Sequence, residues 1–346
     1  MSNIKEMHPD QIIRFFGMDP ANFSAVLFGN GLIHSTYMVK DGSGVPAYIL
    51  QHVNHHVFKK PLDISDNLEA LGQYLKGVGS DYFLPLPLRT VEGAPYAMID
   101  GRYFRLTAYV PGSHAMDVCA TPGQAYEAAL QFGQFTSVFS GFKTENLKET
   151  IPGFHDLSFR WQQFTEALAC GNRDRIRNTQ HEIGLLKERK DIVDRFETFR
   201  TDPDCRLRVT HHDTKISNVL FNEQEKGICV IDLDTVMPGY FISDLGDMFR
   251  TYLSPVHEEE SDHSLITVRK EFRDAILEGY LTHMEDELTE KEKGLLLYAG
   301  EFMIYMQALR FLTDHINDDA YYGARYAGHN LIRAKNQIAL LNAFGA

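Results

Sequence analysis

Apolar and polar positions alternate along the first hundred residues and then change period. The stretch SAVLFGNGLIHSTYMVKDGSGVPAYILQHV carries β-rich runs at 24–28, 35–40 and 46–53 between glycines, and KDGSG has the composition of a hairpin turn. A helix is expected from Leu62 to Lys76, starting near Asp63 or Ser65. The segment PYAMIDGRYFRLTAYVPGS then predicts two more strands around an Asp-Gly turn and stops at Pro111-Gly112. Beyond that break the spacing becomes helical. Thr121-Pro122 reads as an N-cap with proline at the first helical position, and Ala125, Leu130, Phe135, Val138 and Phe142 follow at helical intervals. Further helices are expected at about 157–170, 176–200, 262–284, 289–316 and 325–344. The pattern predicts an α+β protein with a small β-rich lobe over 1–107, a hinge at 108–113 and a larger, mainly helical lobe over 114–346.

Composition narrows the class. At 346 residues, 44% apolar and 23% charged, the chain has enough material for two lobes with a substantial core. No run of eighteen apolar residues and no charged-then-apolar leader occurs, so neither a membrane span nor a signal peptide is expected. Cys119, Cys170, Cys205 and Cys229 are scattered without a C-x-x-C pair, which reads as reduced thiols in a cytoplasmic protein. The net charge of −13 disfavours nucleic acid and anionic lipid as partners, yet leaves room for a small phosphorylated ligand at a local cationic site. Oligomeric state is not legible.

The helical half is interrupted by RVTHHDTKISNVLF, which places a polar centre between apolar strand-like ends from Arg208 to Phe221. His211, Asp213 and Asn218 have the spacing H-x-D-x-x-x-x-N of the protein-kinase catalytic loop, and VIDLD brings Asp232 fourteen residues after Asn218. Phosphoryl transfer needs one carboxylate to orient and deprotonate a hydroxyl, an amide and a second carboxylate for Mg²⁺, and a cation for the transferring group. Asp213, Asn218, Asp232 and Lys215 supply one of each. Asp and Asn in a turn are ordinarily capping residues, and the added I-D-x-D weighs against that plainer reading here. His211 reads as a buried organiser of the loop. Asp244 and Asp247, in SDLGDMFR, read as braces of the same loop, while Asp234 is left between bracing and touching the metal.

FGNGLIHSTYMV offers Gly29, Asn30 and Gly31 as a glycine-rich lid over nucleotide phosphates, although G-x-G is often just a hairpin. No G-x-x-x-x-G-K-[ST] occurs. The strand that ends V-A-I-K in protein kinases reads AYILQ here, so Gln51 stands where a lysine would meet the phosphates, and Glu69 would lack its usual partner. Backbone groups near Tyr109 and Val110 in the hinge are expected to receive adenine. His52, His55 and His56 lack carboxylate or cysteine partners and read as surface or packing residues, and PVHEEESDH as a solvated acidic loop.

With those residues in hand, the chain resembles the aminoglycoside-phosphotransferase and choline-kinase branch of kinase-like folds, and more closely the bacterial N-acetylhexosamine 1-kinases. GNGLIHSTYMV, YILQHVN, ETIPGFHD, RVTHHDTKISNVL, VIDLDTVMPG, DLGD, RFLTDHI and YAGHNLIRAKNQI carry the resemblance over nearly the whole chain. It implies a two-lobed protein-kinase-like fold that uses ATP and Mg²⁺ to phosphorylate the C1 hydroxyl of GlcNAc or GalNAc, and a family in which glutamine at position 51 is ordinary. It also implies that Asp213 is the base, that Asn218 and Asp232 hold the metal, and that Arg310 and Tyr321 contact the sugar, with His155 and Asp156 as further candidates for its pocket. Without it, Arg310 would read as a helix-surface ion-pair partner and Tyr321 as a packing aromatic. Leu32 departs from the polar lid residue of those relatives, which leaves the choice of sugar open. Kinases of homoserine, methylthioribose, choline or aminoglycosides would share the same catalytic residues, and a non-catalytic nucleotide-binding relative is the remaining alternative.

Overall fold

The computed structural model describes residues 8–29, 34–55 and 57–345. Asn30, Gly31 and Leu32 of the expected lid, and His56, lie outside them. Helix α1 (Pro9–Ile12) precedes strands β1 (Phe23–Leu27), β2 (Ser35–Asp41) and β3 (Pro46–Val53), helix α2 (Pro61–Gly77), and strands β4 (Ala97–Ile99) and β5 (Arg102–Ala108). These five strands form one antiparallel sheet in the order β1-β2-β3-β5-β4. The two turns follow from their residues. Asp41 closes the β2–β3 hairpin by accepting the amides of Ser43 (2.8 Å) and Val45 (3.0 Å). Asp100 and Gly101 both have positive φ between β4 and β5, the backbone that a two-residue hairpin requires.

The helical lobe contains α3 (Pro122–Val138), α4 (Leu157–Cys170), α5 (Arg173–Asn178), α6 (Gln180–Glu188) and α7 (Asp191–Thr201). Short strands β6 (His114–Ala115), β7 (Arg208–Thr210), β8 (Val219–Phe221), β9 (Gly227–Val230) and β10 (Met237–Gly239) form two small sheets, β6-β8-β9 and β10-β7. Helices α8 (Phe241–Tyr252), α9 (Lys270–Met284), α10 (Glu290–Lys293), α11 (Leu296–Ile316) and α12 (His329–Phe344) complete it. Thr121 and Gln124 form a reciprocal capping box at the start of α3, and Asp156 caps α4 by accepting the Phe159 amide. Among the described residues no helix is long and apolar enough to cross a membrane.

Several expected helices break. The helix expected over 176–200 divides into α5, α6 and α7; α5 parts from α6 where fully buried Thr179 leaves the helical conformation (φ −120°) and donates its hydroxyl back to Arg175 O, and α6 from α7 at Arg189–Lys190. The one expected over 289–316 divides after α10, whose Glu292 is drawn into a buried pair with Arg208 on β7. The last one starts at His329, after Gly328 with φ +81°. Helix α8 is absent from the expected set, although Phe241, Ile242, Leu245, Met248, Phe249 and Tyr252 recur at helical intervals and are all buried.

Two apolar cores result. The sheet buries Val39, Leu50, Phe104 and Leu106 against Ile12, Ile13 and Phe16. Helix α2 turns away from that cluster and sinks Ile64, Leu68, Leu71 and Leu75 into the large core of the helical lobe. Deep in that core α3 and α9 cross backbone to backbone: a Cβ on Gly133 would stand 2.6 Å from Tyr280 O, and one on Gly279 would stand 2.3 Å from Tyr126 O. A backbone carbonyl cannot swing aside as a side chain can. Gly279→Ala is therefore expected to cost about 1–3 kcal/mol in urea unfolding. Gly77→Ala, at the end of α2 with nothing within 4 Å, is the control expected to stay near wild type.

Candidate active site

The polar turn at 211–214 cannot pair with itself, so its backbone groups are met from α8. His212 has φ +66°, a sparsely populated conformation for a non-glycine residue. Buried Asp244, in the first turn of α8, accepts the amides of His211 (2.9 Å) and His212 (2.7 Å), one on each carboxylate oxygen. One turn on, Asp247 accepts the Thr214 amide (2.9 Å) and pairs with Arg250 (2.8 Å). Thr214 Oγ1 donates to Asp244 O, and Tyr252 Oη donates to Thr214 O. Fully buried His211 donates from Nε2 to Ile231 O (2.9 Å), accepts the Asp213 amide at Nδ1 (3.4 Å) and meets Phe132 and Phe135 edge to face. These contacts leave the Asp213 carboxylate partly exposed, with Lys215 Nζ 3.2 Å from its Oδ2. Asp213 is the main cause that raises the Lys215 pKa above its ordinary value.

Across the cleft floor, Asn218 donates to Asp213 O (2.8 Å), which leaves its side-chain oxygen without that duty. Asp232 also takes positive φ (+59°) and presents its carboxylate at the surface of the cleft. Crowding by protein atoms, then the charges of Asp234 and Asp213, push its pKa up. An amide oxygen and a carboxylate beside two further carboxylates make a hard, oxygen-rich, over-anionic position, which fits Mg²⁺. Asp234 differs. Both of its oxygens already accept hydrogen bonds, one from Arg105 Nη1 and one from His34 Nε2 (2.8 Å). Against the upward push of burial, Arg105 and His34 hold its pKa down at about 2.

The β-rich lobe meets this floor from above. Gly29, two residues beyond β1, has φ +75°. Gln51 is occupied on both sides: its Oε1 accepts from Arg105 Nε (2.9 Å) and its Nε2 donates to Thr36 Oγ1 (3.3 Å). Glu69 pairs with Arg89 (2.6 Å) on the surface and not with β3. In the hinge the Tyr109 amide is bound to Ala47 O (3.0 Å), so a base would meet the backbone beyond it, where Val110 O accepts from Ser113 Oγ (2.6 Å).

A ladder of rings leads from the turn to a pocket of about 330 Å³ between α4 and α11. His212 stands 5.1 Å from the His155 ring, His155 stacks on Phe154 at 4.5 Å, and Arg310 lies 5.0 Å over Phe154. Arg310 also lies over Tyr321 and Tyr322, and it donates to Gln307 Oε1 (3.2 Å). Arg160 lines the same pocket and bonds to Phe154 O and Gln163. Burial and then Arg310 lower the Arg160 pKa to about 10. Among the described residues neither buried guanidinium makes an ion pair. The loop carrying Tyr321 is fixed by Asp314, which accepts the amides of Tyr321 (2.7 Å) and Tyr322 (2.9 Å). Asp156 stays at its capping post beside the pocket, and His155 Nδ1 is buried without a hydrogen-bond partner. Arg105, His34 and Arg160 were not among the residues singled out from sequence. Arg105 is signalled there only as one charge inside an apolar strand, and Arg160 not at all.

A kinase-like arrangement sets an antiparallel sheet over a helical lobe, with Asp213, Asn218 and Asp232 close together, the residue types that phosphoryl transfer needs. The model of the phosphotransferase enzyme family matches residues 24–290, and the chain belongs to that family. Solved structures agree on the fold. A microcompartment-associated aminopropanol kinase is 19% identical with a TM-score of 0.63, over 96% of this chain and 95% of that one. An aminoglycoside phosphotransferase from Alicyclobacillus acidocaldarius is 15% identical with a TM-score of 0.62, over 98% and 96%. A spectinomycin phosphotransferase in complex with ADP and spectinomycin is 13% identical with a TM-score of 0.59, over 97% of both chains.

Burial lowers the His212 pKa from its ordinary 6.5 to about 4. As pH falls from 6.5 toward 4, the unfolded chain takes up a proton that the folded one refuses, so stability present above 6.5 is lost over that window. The full effect is worth about 3 kcal/mol. Asp244 acts oppositely: burial raises its pKa to about 6, so it favours the folded state as pH falls toward 3.8. The difference between variants isolates the histidine. His212→Asn, which tolerates positive φ, is expected to flatten the loss of Tm between pH 6.5 and 4.5 relative to wild type.

Proposed function

We propose that this protein transfers the γ-phosphoryl group of ATP to the anomeric C1 hydroxyl of an N-acetylhexosamine, giving the sugar 1-phosphate and ADP. The observation that carries the choice of acceptor is the pair of buried guanidiniums, Arg160 and Arg310, which share one pocket with Glu166 and Asp314 and yet make no ion pair among the described residues. With the Asp314 oxygens taken by the Tyr321 and Tyr322 amides and Glu166 bonded to Gln162, the pocket offers a cationic acceptor little of the free acidic wall it wants. It suits a neutral ring rich in hydroxyl and carbonyl acceptors, held by guanidinium forks over tyrosine faces. A second reading has its own support: the carboxylate of homoserine would also meet the two arginines well.

In this mechanism Asp213 orients the acceptor hydroxyl and takes its proton as the oxygen attacks phosphorus. The bond to the bridging oxygen of ADP breaks, and the proton later leaves to solvent. Lys215, on the edge of the cleft beside Asp213, meets the charge of the transferring oxygens. Asn218 and Asp232 would hold Mg²⁺, which supplies charge neutralisation for the phosphates when bound. Asp244, Asp247 and His211 keep the turn rigid, as a positioning mechanism requires.

Phosphorus NMR after incubation with Mg-ATP and GlcNAc, GalNAc or homoserine is the direct test. A sugar-phosphate doublet split by the anomeric proton is the expected signal, and a product only with homoserine would favour the second reading. Asp213→Asn is expected to lower kcat by about 10²–10⁴-fold while ATP binding persists. Turnover near wild type in that variant would remove Asp213 from the role. Arg310→Ala is expected to raise the acceptor KM by about tenfold or more with the KM for ATP unchanged.

A further inference from the structure

The position of the absent strand lysine has an answer one strand away. Period-two alternation puts Leu50 and Leu106 on the core face of the sheet and Gln51 and Arg105 together on the opposite face, where they are direct register partners. Arg105 is buried, and its two hands are used differently. Nε donates to Gln51 Oε1 within the sheet, whereas Nη1 crosses to Asp234 in the helical lobe. Gln51 is itself steadied by Thr36 on β2. The other Asp234 oxygen is held by His34 Nε2, and His34 Nδ1 accepts the Asn54 amide at the end of β3 (3.0 Å). Asp234 is thus gripped on both oxygens by the β-rich lobe. Two residues earlier in the same strained turn stands Asp232, and ligand atoms of His34, Asp232 and Asp234 lie within 4.8 Å of one another.

We propose that Arg105 is the positioning residue that replaces the strand lysine: held by Gln51, it fixes the Asp232 turn through Asp234 and so sets the metal-bearing carboxylate beneath the nucleotide phosphates. Gln51 is then the holder of a cation and not a phosphate ligand. The inference rests on Asp232 as a metal ligand, and it is independent of which acceptor is phosphorylated.

Calorimetry without any acceptor tests it, with ADP titrated in Mg²⁺ and in EDTA. Arg105→Gln is expected to weaken Mg-ADP by about tenfold or more while metal-free ADP changes little, the size of effect seen when a group supporting a metal ligand is removed. Exchange of the two side chains across the register pair, Gln51→Arg with Arg105→Gln, is expected to restore most of the Mg-ADP affinity. Thermal melts establish that each variant is folded. If Arg105→Gln does not fold, the exchanged variant is decisive: near-wild-type Mg-ADP affinity supports the proposal, and a tenfold loss overturns it. Equal loss with and without metal would mean that Arg105 contacts phosphate directly, and no loss in a folded variant would make it merely structural; either result overturns the proposal. Asp232→Asn separates the two levels. If Asp232→Asn loses the metal-dependent affinity and Arg105→Gln keeps it, only the role of Arg105 fails; if Asp232→Asn also keeps it, the metal reading fails as well.

Discussion

Everything at this site depends on one buried carboxylate accepting two consecutive amides. The turn from His211 to Thr214 must leave regular structure to present Asp213, and in doing so it orients backbone N–H groups inward, where water does not reach them. Asp244 meets two of them and Asp247 meets a third, both from the first two turns of α8. Each N–H left unpaired at that depth would cost about 1–3 kcal/mol, so the three together outweigh the strain of about 1–3 kcal/mol in placing His212 at φ +66°. The same grip determines where Asp213 points, so fold and chemistry share a single cause.

The two lobes are joined by polar contacts more than by their cores. The sheet keeps a small apolar cluster of its own, while α2, which follows it in sequence, belongs to the core below. Asn67 of α2 donates to Lys148 O and Val236 O and accepts the Lys148 amide, which ties that helix to the loop behind Asp234. Arg105 and His34 reach the same loop from the sheet. Buried ionic contacts of this kind add little net stability against a well-packed apolar alternative, but they demand one geometry. A turn that must hold a carboxylate in place benefits from that demand.

The pocket between α4 and α11 follows another logic. Among the described residues two guanidiniums stay buried without an ion pair, stabilised by the faces of Phe154, Tyr321 and Tyr322 and by neutral acceptors such as Gln163, Gln307 and Phe154 O.

Much of the molecule was legible along the chain. Hairpins with Asp-Gly turns, the capped starts of α3 and α4 and the spacing of Asp213, Asn218 and Asp232 are all local features, governed by interactions within a few residues. The α+β class followed from them. Helix α8 was equally legible in its apolar spacing. What the chain alone did not disclose is every contact that depends on register or on packing between distant segments. That Gln51 faces Arg105, that Arg105 reaches Asp234 across 129 positions, and that Arg160 and Arg310 converge on one pocket are outcomes of strand pairing and helix crossing. Local propensity selects the elements. Which side chains then meet is decided by how buried surfaces and unpaired polar groups are satisfied together, and that is a property of the tertiary structure.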